Sequence, residues 1–183
     1  KKNLYVAEAV VLKAFYYTQL WKFWGNIPYY DKNLTAPYYT AQLTADEVYE
    51  KIVTNLESVF EMDILPMKAA SGSEGRVTKA MAYMLYTEAV LYQNDESRYE
   101  TALGYMDEII SSSQYSLVAD FASIWEESGE WGSESIWEIN YISEGAARSW
   151  GSAIATGGSV YPMLSGVPGA PEVSGYKGGW GFG

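Results

Sequence analysis

The chain has 183 residues and a formal net charge of −11 at pH 7, which argues against nucleic acid and anionic membrane surfaces as partners, because both attract Lys and Arg. It contains no Cys and no His, which excludes disulfides, Cys/His zinc sites and His-based triads within these residues. Hydrophobic residues make up 48% of the chain, enough for a folded core. Its 17 Tyr and 7 Trp residues suit half-wet surfaces as well as cores.

The first predicted element is a long amphipathic helix over residues 7–24. Side chains three and four residues apart share one face of a helix. Gly25 and Asn26 tolerate the left-handed position that ends a helix, and Pro28 prevents a restart. The predicted buried stripe consists of Val10, Ala14, Tyr17, Trp21 and Trp24.

The second predicted helix follows an irregular segment from Tyr29 to Leu43 and ends before Pro66. Thr44 and Glu47 have the spacing of a capping box, in which each side chain satisfies a free backbone N–H of the first turn. The predicted buried stripe of this helix consists of Val48, Ile52, Leu56 and Val59.

The third and fourth helices together approximate one tetratricopeptide unit over residues 78–112. The third helix follows Thr78, and a capping box of Ser97 and Glu100 is expected to start the fourth. Small Ala residues let the two helices approach closely. A single unit cannot bury its own faces, so we expect it to stack on the two preceding helices.

Beyond the helices, Phe121, Ile124 and Trp125 are expected to act as apolar anchors. An alternation of apolar and polar residues predicts a strand near residues 134–142. From Ser143 the composition shifts to Gly, Ser, Ala and Pro with scattered aromatic residues. The chain is therefore predicted to divide into a helical core with a terminal strand, residues 1–142, and a long irregular loop region, residues 143–183.

Five sequence motifs, which follow one another along the chain in the family's order, resemble the SusD/RagB family. Its members are the glycan-binding lipoproteins of the Bacteroidetes outer membrane. Val10, Lys13 and Asn26 depart from the family pattern of Arg, Arg and Asp. The second-helix pattern and the Tyr115–Phe121 segment also resemble the family. The other matching residues are Ala7-Glu8-Ala9, Leu12-Lys13-Ala14, Tyr17, Gly25-Asn26-Ile27-Pro28, Gly75-Arg76-Val77-Thr78-Lys79-Ala80 and Ser133-Glu134-Ser135-Ile136-Trp137-Glu138-Ile139.

The resemblance implies a mainly α-helical fold of tetratricopeptide-like helix pairs, with a short β element and long irregular loops. It also implies that the loop region of residues 143–183 begins the ligand-facing part. It implies a protein that captures oligosaccharides or polysaccharides at the outer face of the outer membrane, without catalysis or cofactor. It also implies delivery of the sugar to a TonB-dependent transporter, and a longer protein with an N-terminal lipid anchor outside these residues.

Sugar binding needs exposed aromatic rings for the apolar C–H face of the sugar and polar groups for its hydroxyls. Trp21, Trp24, Tyr92 and Tyr99 lie on helix stripes and are expected in the core. No metal ligands are predicted. The candidate glycan-binding residues lie in irregular segments: Trp150, Tyr161, Trp180, Tyr38 and Tyr39, with Arg148 and Asn140 as polar companions.

Two other functions remain open at this point. A glycoside hydrolase needs a pair of carboxylates set for acid and base or nucleophile roles, and the chain offers several, although no two stand out. A protein-interaction module is the other alternative, because tetratricopeptide grooves bind peptides. The candidate carboxylates are Glu126, Glu127, Glu130, Glu134 and Glu138.

Overall fold

The computed structural model describes residues 1–140, of which Lys1–Glu138 form one compact unit. The mainly helical prediction is confirmed. Among the described residues, no helix has the length and apolar character needed to cross a membrane. The elements are α1 (Lys2–Trp24), β1 (Ile27–Pro28), β2 (Gln42–Leu43), α2 (Ala45–Met62), α3 (Lys79–Gln93) and α4 (Tyr99–Ser111), with short 3-10 turns at Glu96–Arg98, Phe121–Trp125 and Glu127–Gly129.

Helix α1 begins earlier than predicted and ends where predicted. Gly25 has a positive φ of 64°, and its N–H donates to the carbonyl of Trp21 over 2.8 Å. The predicted stripe is only partly correct, because Trp24 is exposed instead of buried. Apolar residues surround this helix on nearly every side, so periodicity alone could not select the buried face. Its buried residues are Ala7, Val11, Ala14, Thr18 and Trp21.

Helix α2 begins at the predicted capping box. Thr44 Oγ1 accepts from Glu47 N over 3.3 Å, and Glu47 Oε2 accepts from Thr44 N over 2.8 Å. The whole predicted stripe is buried, together with Tyr49 and Val53. Because α2 packs against both α1 and α3, it lies at the centre of the helical core.

Helices α3 and α4 pack against each other as the predicted tetratricopeptide-like pair. The rings of Tyr83 and Tyr105 stack with centroids 4.3 Å apart. The predicted capping box of Ser97 and Glu100 is wrong. Instead, Asp95 Oδ1 accepts from Ser97 N over 3.1 Å and caps a 3-10 turn that leads into α4. An Asp two residues upstream reaches that N–H directly, so the cap forms one turn earlier.

Arg98 ties the α3–α4 connection to α2. Its guanidinium donates to both carboxylate oxygens of Glu50, over 3.1 and 3.0 Å, and to Asp95 over 2.5 Å. The hydroxyl of Tyr49 donates to the same Asp95 carboxylate over 2.8 Å. Hydrogen bonds from Ser97, Arg98 and Tyr49 hold the pKa of Asp95 well below its usual range.

The strand predicted near residues 134–142 is not found in the part of it that the structure describes, residues 134–140. The consecutive residues Ile136 and Trp137 both pack on the core, which is incompatible with the alternating faces of a strand. The ring of Trp137 meets Phe15 of α1 edge-on, 5.3 Å between centroids. The predicted domain boundary at 142/143 lies outside the described residues.

Replacing Leu56 by Ala tests the central role of α2. Leu56 is fully buried, so we expect Leu56→Ala to lower the free energy of unfolding by about 2–5 kcal/mol through lost burial and a residual cavity. The matched control is Leu103→Ala on the exposed face of α4, with an expected change within about 0.5 kcal/mol. Urea denaturation of both variants measures the difference, and equal effects would contradict this description of the core.

The Asp95 cluster predicts a pH dependence of stability. Because the pKa of Asp95 is lower in the folded protein than in the unfolded chain, its contribution is fully present above the unfolded value of about 3.9 and is lost as the pH falls below it. We expect Asp95→Asn to reduce the difference in unfolding free energy between pH 7 and pH 3.5. Asp107→Asn, at an exposed carboxylate of α4, is the control, and an unchanged difference in Asp95→Asn would refute the assignment.

Candidate functional site

Three of the seven predicted glycan-binding residues lie in the part of the chain that the structure describes. Tyr38 and Tyr39 belong to the segment between β1 and β2, and Asn140 is the last described residue. The other four predicted residues lie outside the described residues: Arg148, Trp150, Tyr161 and Trp180. The site is therefore built here from the segment of residues 29–41, which we call the tyrosine loop.

The base of the tyrosine loop is closed by backbone pairing and by one asparagine. Strands β1 and β2 pair antiparallel, with Ile27 opposite Leu43. The carbonyl of Asn26 accepts from Gln42 Nε2 over 2.6 Å, and its side-chain Oδ1 accepts from Ala45 N over 2.8 Å. The end of α1 and the start of α2 are thus held together on either side of the loop.

Tyr29 anchors the first part of the loop in the core. It is buried, its ring lies 4.1 Å from the ring of Tyr17 between centroids, and its hydroxyl accepts from Asn55 Nδ2 over 2.6 Å. Burial raises the pKa of this phenol. The hydroxyl of Tyr17 in turn accepts from Tyr30 N over 3.0 Å. Two helices therefore hold the start of the loop.

Asp31 provides a second attachment through charge. Its carboxylate accepts from Lys51 of α2 over 2.9 Å and from Lys13 of α1 over 3.3 Å. The hydrogen bond from Lys51, with that from Lys13, lowers the pKa of Asp31. Because Asp31 is exposed, these pairs are screened and chiefly orient the loop.

The tip of the loop presents two tyrosines to solvent. Tyr38 N donates to the carbonyl of Thr35 over 2.8 Å, and Tyr38 has a positive φ of 61°. Tyr38 is 67% exposed and Tyr39 is 84% exposed. The backbone at the start of the loop is anchored, and the two tyrosine rings at its tip are free to contact a ligand. This arrangement suits stacking on a sugar, because the rings are available and the start of the loop is already held in place.

A shallow depression of about 450 Å³ lies on the outer face of α2, next to the loop. Lys51 belongs to both, since it lines the depression and binds Asp31. Glu47 and Glu50 already accept hydrogen bonds, but an ionised carboxylate has about four acceptor positions, so each can also accept from a sugar hydroxyl. The lining residues are Leu43, Asp46, Glu47, Glu50, Lys51 and Thr54.

Several aromatic residues are placed differently from the sequence prediction. Trp21 is buried as expected, but Tyr92, like Trp24, is exposed, and Tyr99 is half-buried. Phe121 and Trp125, expected as apolar anchors, are also exposed, whereas the third expected anchor, Ile124, is half-buried. Their place in an irregular segment, which is the criterion that selected Tyr38 and Tyr39, could have identified this second exposed pair.

Two of the carboxylates considered for a hydrolase, Glu134 and Glu138, accept hydrogen bonds from backbone N–H groups. Glu134 Oε2 accepts from Val118 N over 2.9 Å, and Glu138 Oε1 accepts from Trp131 N over 2.7 Å. No group of three or more acidic side chains within residues 1–140 is arranged to hold a metal ion. The exposed Asn140 belongs to the second unit of the chain, which begins at Ile139.

No protein-family model matches this sequence. A curated relative, SusD-like protein P25 from Formosa agariphila, is 24% identical over 143 residues, which cover 76% of this chain and 26% of the relative. Surface glycan-binding protein A from Bacteroides thetaiotaomicron, solved in complex with laminarihexaose, is 51% identical with a TM-score of 0.85. The match covers 97% of this chain and 37% of that protein.

Surface glycan-binding protein A from Bacteroides uniformis is 46% identical with a TM-score of 0.77, over 88% of this chain and 33% of that protein. The chain thus spans about a third of the length of these solved structures and about a quarter of the curated relative. Over the residues that the structure describes, it shares the fold of these solved structures. The resemblance carried by the sequence motifs is confirmed, because the chain is similar both to a SusD-like protein and to surface glycan-binding proteins.

Proposed function

We propose that the protein captures neutral glycans at the cell surface without cleaving them. The observation that carries this proposal is the 51% identity, over 97% of the chain, with a surface glycan-binding protein whose structure holds laminarihexaose. That identity and a TM-score of 0.85 support a common backbone fold for the two proteins. We therefore take a β-glucan oligosaccharide as the first ligand to test.

The geometry of the tyrosine loop supports this function. Each pyranose ring has an apolar C–H face that stacks on an aromatic ring, and Tyr38 and Tyr39 are exposed on an anchored loop. Carboxylates of the adjoining depression can accept from sugar hydroxyls. The net charge of −11 opposes polyanionic ligands and leaves neutral glycans unaffected.

The complete set of contact residues is part of the proposal. Beyond the two tyrosines it includes Trp150, Tyr161 and Trp180 as stacking residues, with Arg148 and Asn140 as hydrogen-bonding companions. Arg148 offers a planar fork of donors and Asn140 both a donor and an acceptor, which suits the paired hydroxyls of a sugar.

Delivery to a transporter and attachment to the outer membrane are also proposed. They rest on the SusD-like assignment and on the predicted N-terminal lipid anchor outside these residues. In this proposal a TonB-dependent transporter receives the bound sugar. Co-purification of the two proteins from outer membranes, with and without glycan, tests this step.

Binding and cleavage are separated by one experiment on the intact protein. Intrinsic Trp fluorescence is titrated with laminarihexaose and with other neutral and acidic glycans, and the same samples are analysed for products. Saturable binding with unchanged sugar supports capture. Shortened products would replace it with a hydrolase, and absence of binding across the panel would favour a protein-interaction module.

Tyr39→Ala tests the tyrosine loop. Loss of one aromatic contact worth about 0.5–1.5 kcal/mol should raise the Kd for the bound glycan about 2- to 12-fold. The control is Tyr16→Ala, because Tyr16 is a similarly exposed tyrosine (64%) on α1, away from the loop in sequence. Isothermal titration calorimetry measures both. Equal Kd values for Tyr39→Ala and the unaltered protein would remove the tyrosine loop from the site.

A further inference from the structure

The segment from Ser116 to Ser133, which we call the aromatic corner loop, is closed at its base. Ser116 N donates to the carbonyl of Ser133 over 3.0 Å, and Ser133 Oγ donates to the carbonyl of Ser116 over 3.1 Å. Next to this pair, Val118 N donates to Glu134 Oε2 over 2.9 Å. Three hydrogen bonds therefore join the two ends of the loop.

The loop is also fastened to the helical scaffold. The hydroxyl of Tyr115 donates to the carbonyl of Met67 over 3.0 Å. Lys68 lies over the ring of Tyr115, 4.6 Å from its centroid, and its ammonium donates to the carbonyls of Gln114 and Gly132 over 3.4 and 3.3 Å. Lys68 thus bonds one residue just before the loop and one near its end, which fixes the position of the loop on the scaffold.

Within the loop, two short 3-10 turns pack closely together. Asp120 Oδ1 accepts from Ala122 N over 3.0 Å and caps the first turn. A Cβ atom on Gly129 would lie 2.1 Å from the carbonyl oxygen of Ser123, so no larger residue fits there. The backbone of the loop is held by its own contacts, and this order costs nothing further on binding.

This ordered loop exposes two aromatic rings set nearly at a right angle. Phe121 is 71% exposed and Trp125 is 76% exposed. Their centroids are 6.0 Å apart and their planes are inclined at 71°. Rings in this arrangement form a corner, in which one flat face can stack on a sugar ring while the other ring contacts its edge.

The negative charge near Phe121 and Trp125 favours neutral ligands over anionic ones. Residues 116–140 contain six carboxylates and no Lys or Arg, so polyanions such as nucleic acid or acidic polysaccharides are repelled. Neutral sugars meet no such penalty, and their hydroxyls can donate to the carboxylates. The carboxylates are Asp120, Glu126, Glu127, Glu130, Glu134 and Glu138.

We propose that the aromatic corner loop is a second contact site for neutral glycan, formed by Phe121 and Trp125 and separate from the tyrosine loop. The proposal rests on the glycan-binding function proposed above and adds a site to it. Two sites on one chain strengthen the binding of a polymer long enough to reach both, because the second contact becomes intramolecular. Oligosaccharides too short to reach both sites do not gain this additional strengthening.

Trp125→Ala in the intact protein tests this site. We expect the Kd for laminarin, a polymer, to rise about 2- to 12-fold through loss of one aromatic contact, with a smaller change for laminarihexaose. Trp125→Phe keeps a ring and should retain most of the affinity. Leu117→Ala is the control, because Leu117 is an 85% exposed apolar residue of the same loop without a ring. Circular dichroism verifies that each variant is folded.

The outcomes separate this proposal from the function on which it rests. If Trp125→Ala binds laminarin as tightly as the unaltered protein while Tyr39→Ala binds it more weakly, the second site is overturned and the glycan-binding function stands. No binding by the unaltered protein would overturn both. Iodide quenching of Trp fluorescence in the free protein is compared between the unaltered protein and Trp125→Ala. Equal quenching would show that the ring of Trp125 is covered, and this would also overturn the site. Binding of an acidic polysaccharide as tight as that of laminarin would overturn it as well.

Discussion

The packing of α1 against α2 is the constraint on which the other described elements depend. Small residues such as Ala7 and Ala14 are fully buried on α1, which permits close approach of the two backbones. The rings of Trp21 and Tyr49 stack across this interface with centroids 5.7 Å apart. The opposite side of α2 receives α3, and α4 packs on α3 in turn. Loss of the α1–α2 contact would separate the two helices that together hold the tyrosine loop.

The sequence predicts an element of this fold correctly where residues close together in the chain determine its structure. The capping box of Thr44 and the stripe on α2 were predicted correctly, because cap chemistry and one apolar face are encoded within a few residues. Trp24 was misplaced, since α1 is apolar on nearly every side and its buried face is chosen by tertiary packing. The strand at Ile136 and Trp137 was wrong for a related reason: both consecutive side chains turn towards the core.

The candidate site was predictable only in part. Tyr38 and Tyr39 are candidates because they lie in an irregular segment, and both are exposed in the structure. Their role in glycan binding stays a prediction. The predicted anchor role of Phe121 and Trp125 is wrong, because both rings are exposed. They lie on a loop whose ends are joined by hydrogen bonds between Ser116 and Ser133, and sequence spacing does not reveal that closure. Exposure of an aromatic ring in an irregular segment is decided by long-range hydrogen bonds, which leave no periodic signal.

The two loops use the same physical solution with different chemistry. Both bring aromatic rings into solvent on backbone that is held at its base, so stacking on a ligand does not first require ordering of the chain. In the tyrosine loop the attachment comes from Asp31 between two lysines, and in the aromatic corner loop it comes from Lys68 beneath backbone carbonyls.

Asn26 has a consequence for how such a protein can diversify. It bonds the side chain of Gln42 and the backbone of Ala45, so the geometry of the helix junction is complete before the tip of the tyrosine loop is reached. Residues at the tip can therefore be exchanged, and the loop can be made longer or shorter there, without moving α1 relative to α2. The scaffold can remain constant through evolution while the loop changes to suit different ligands.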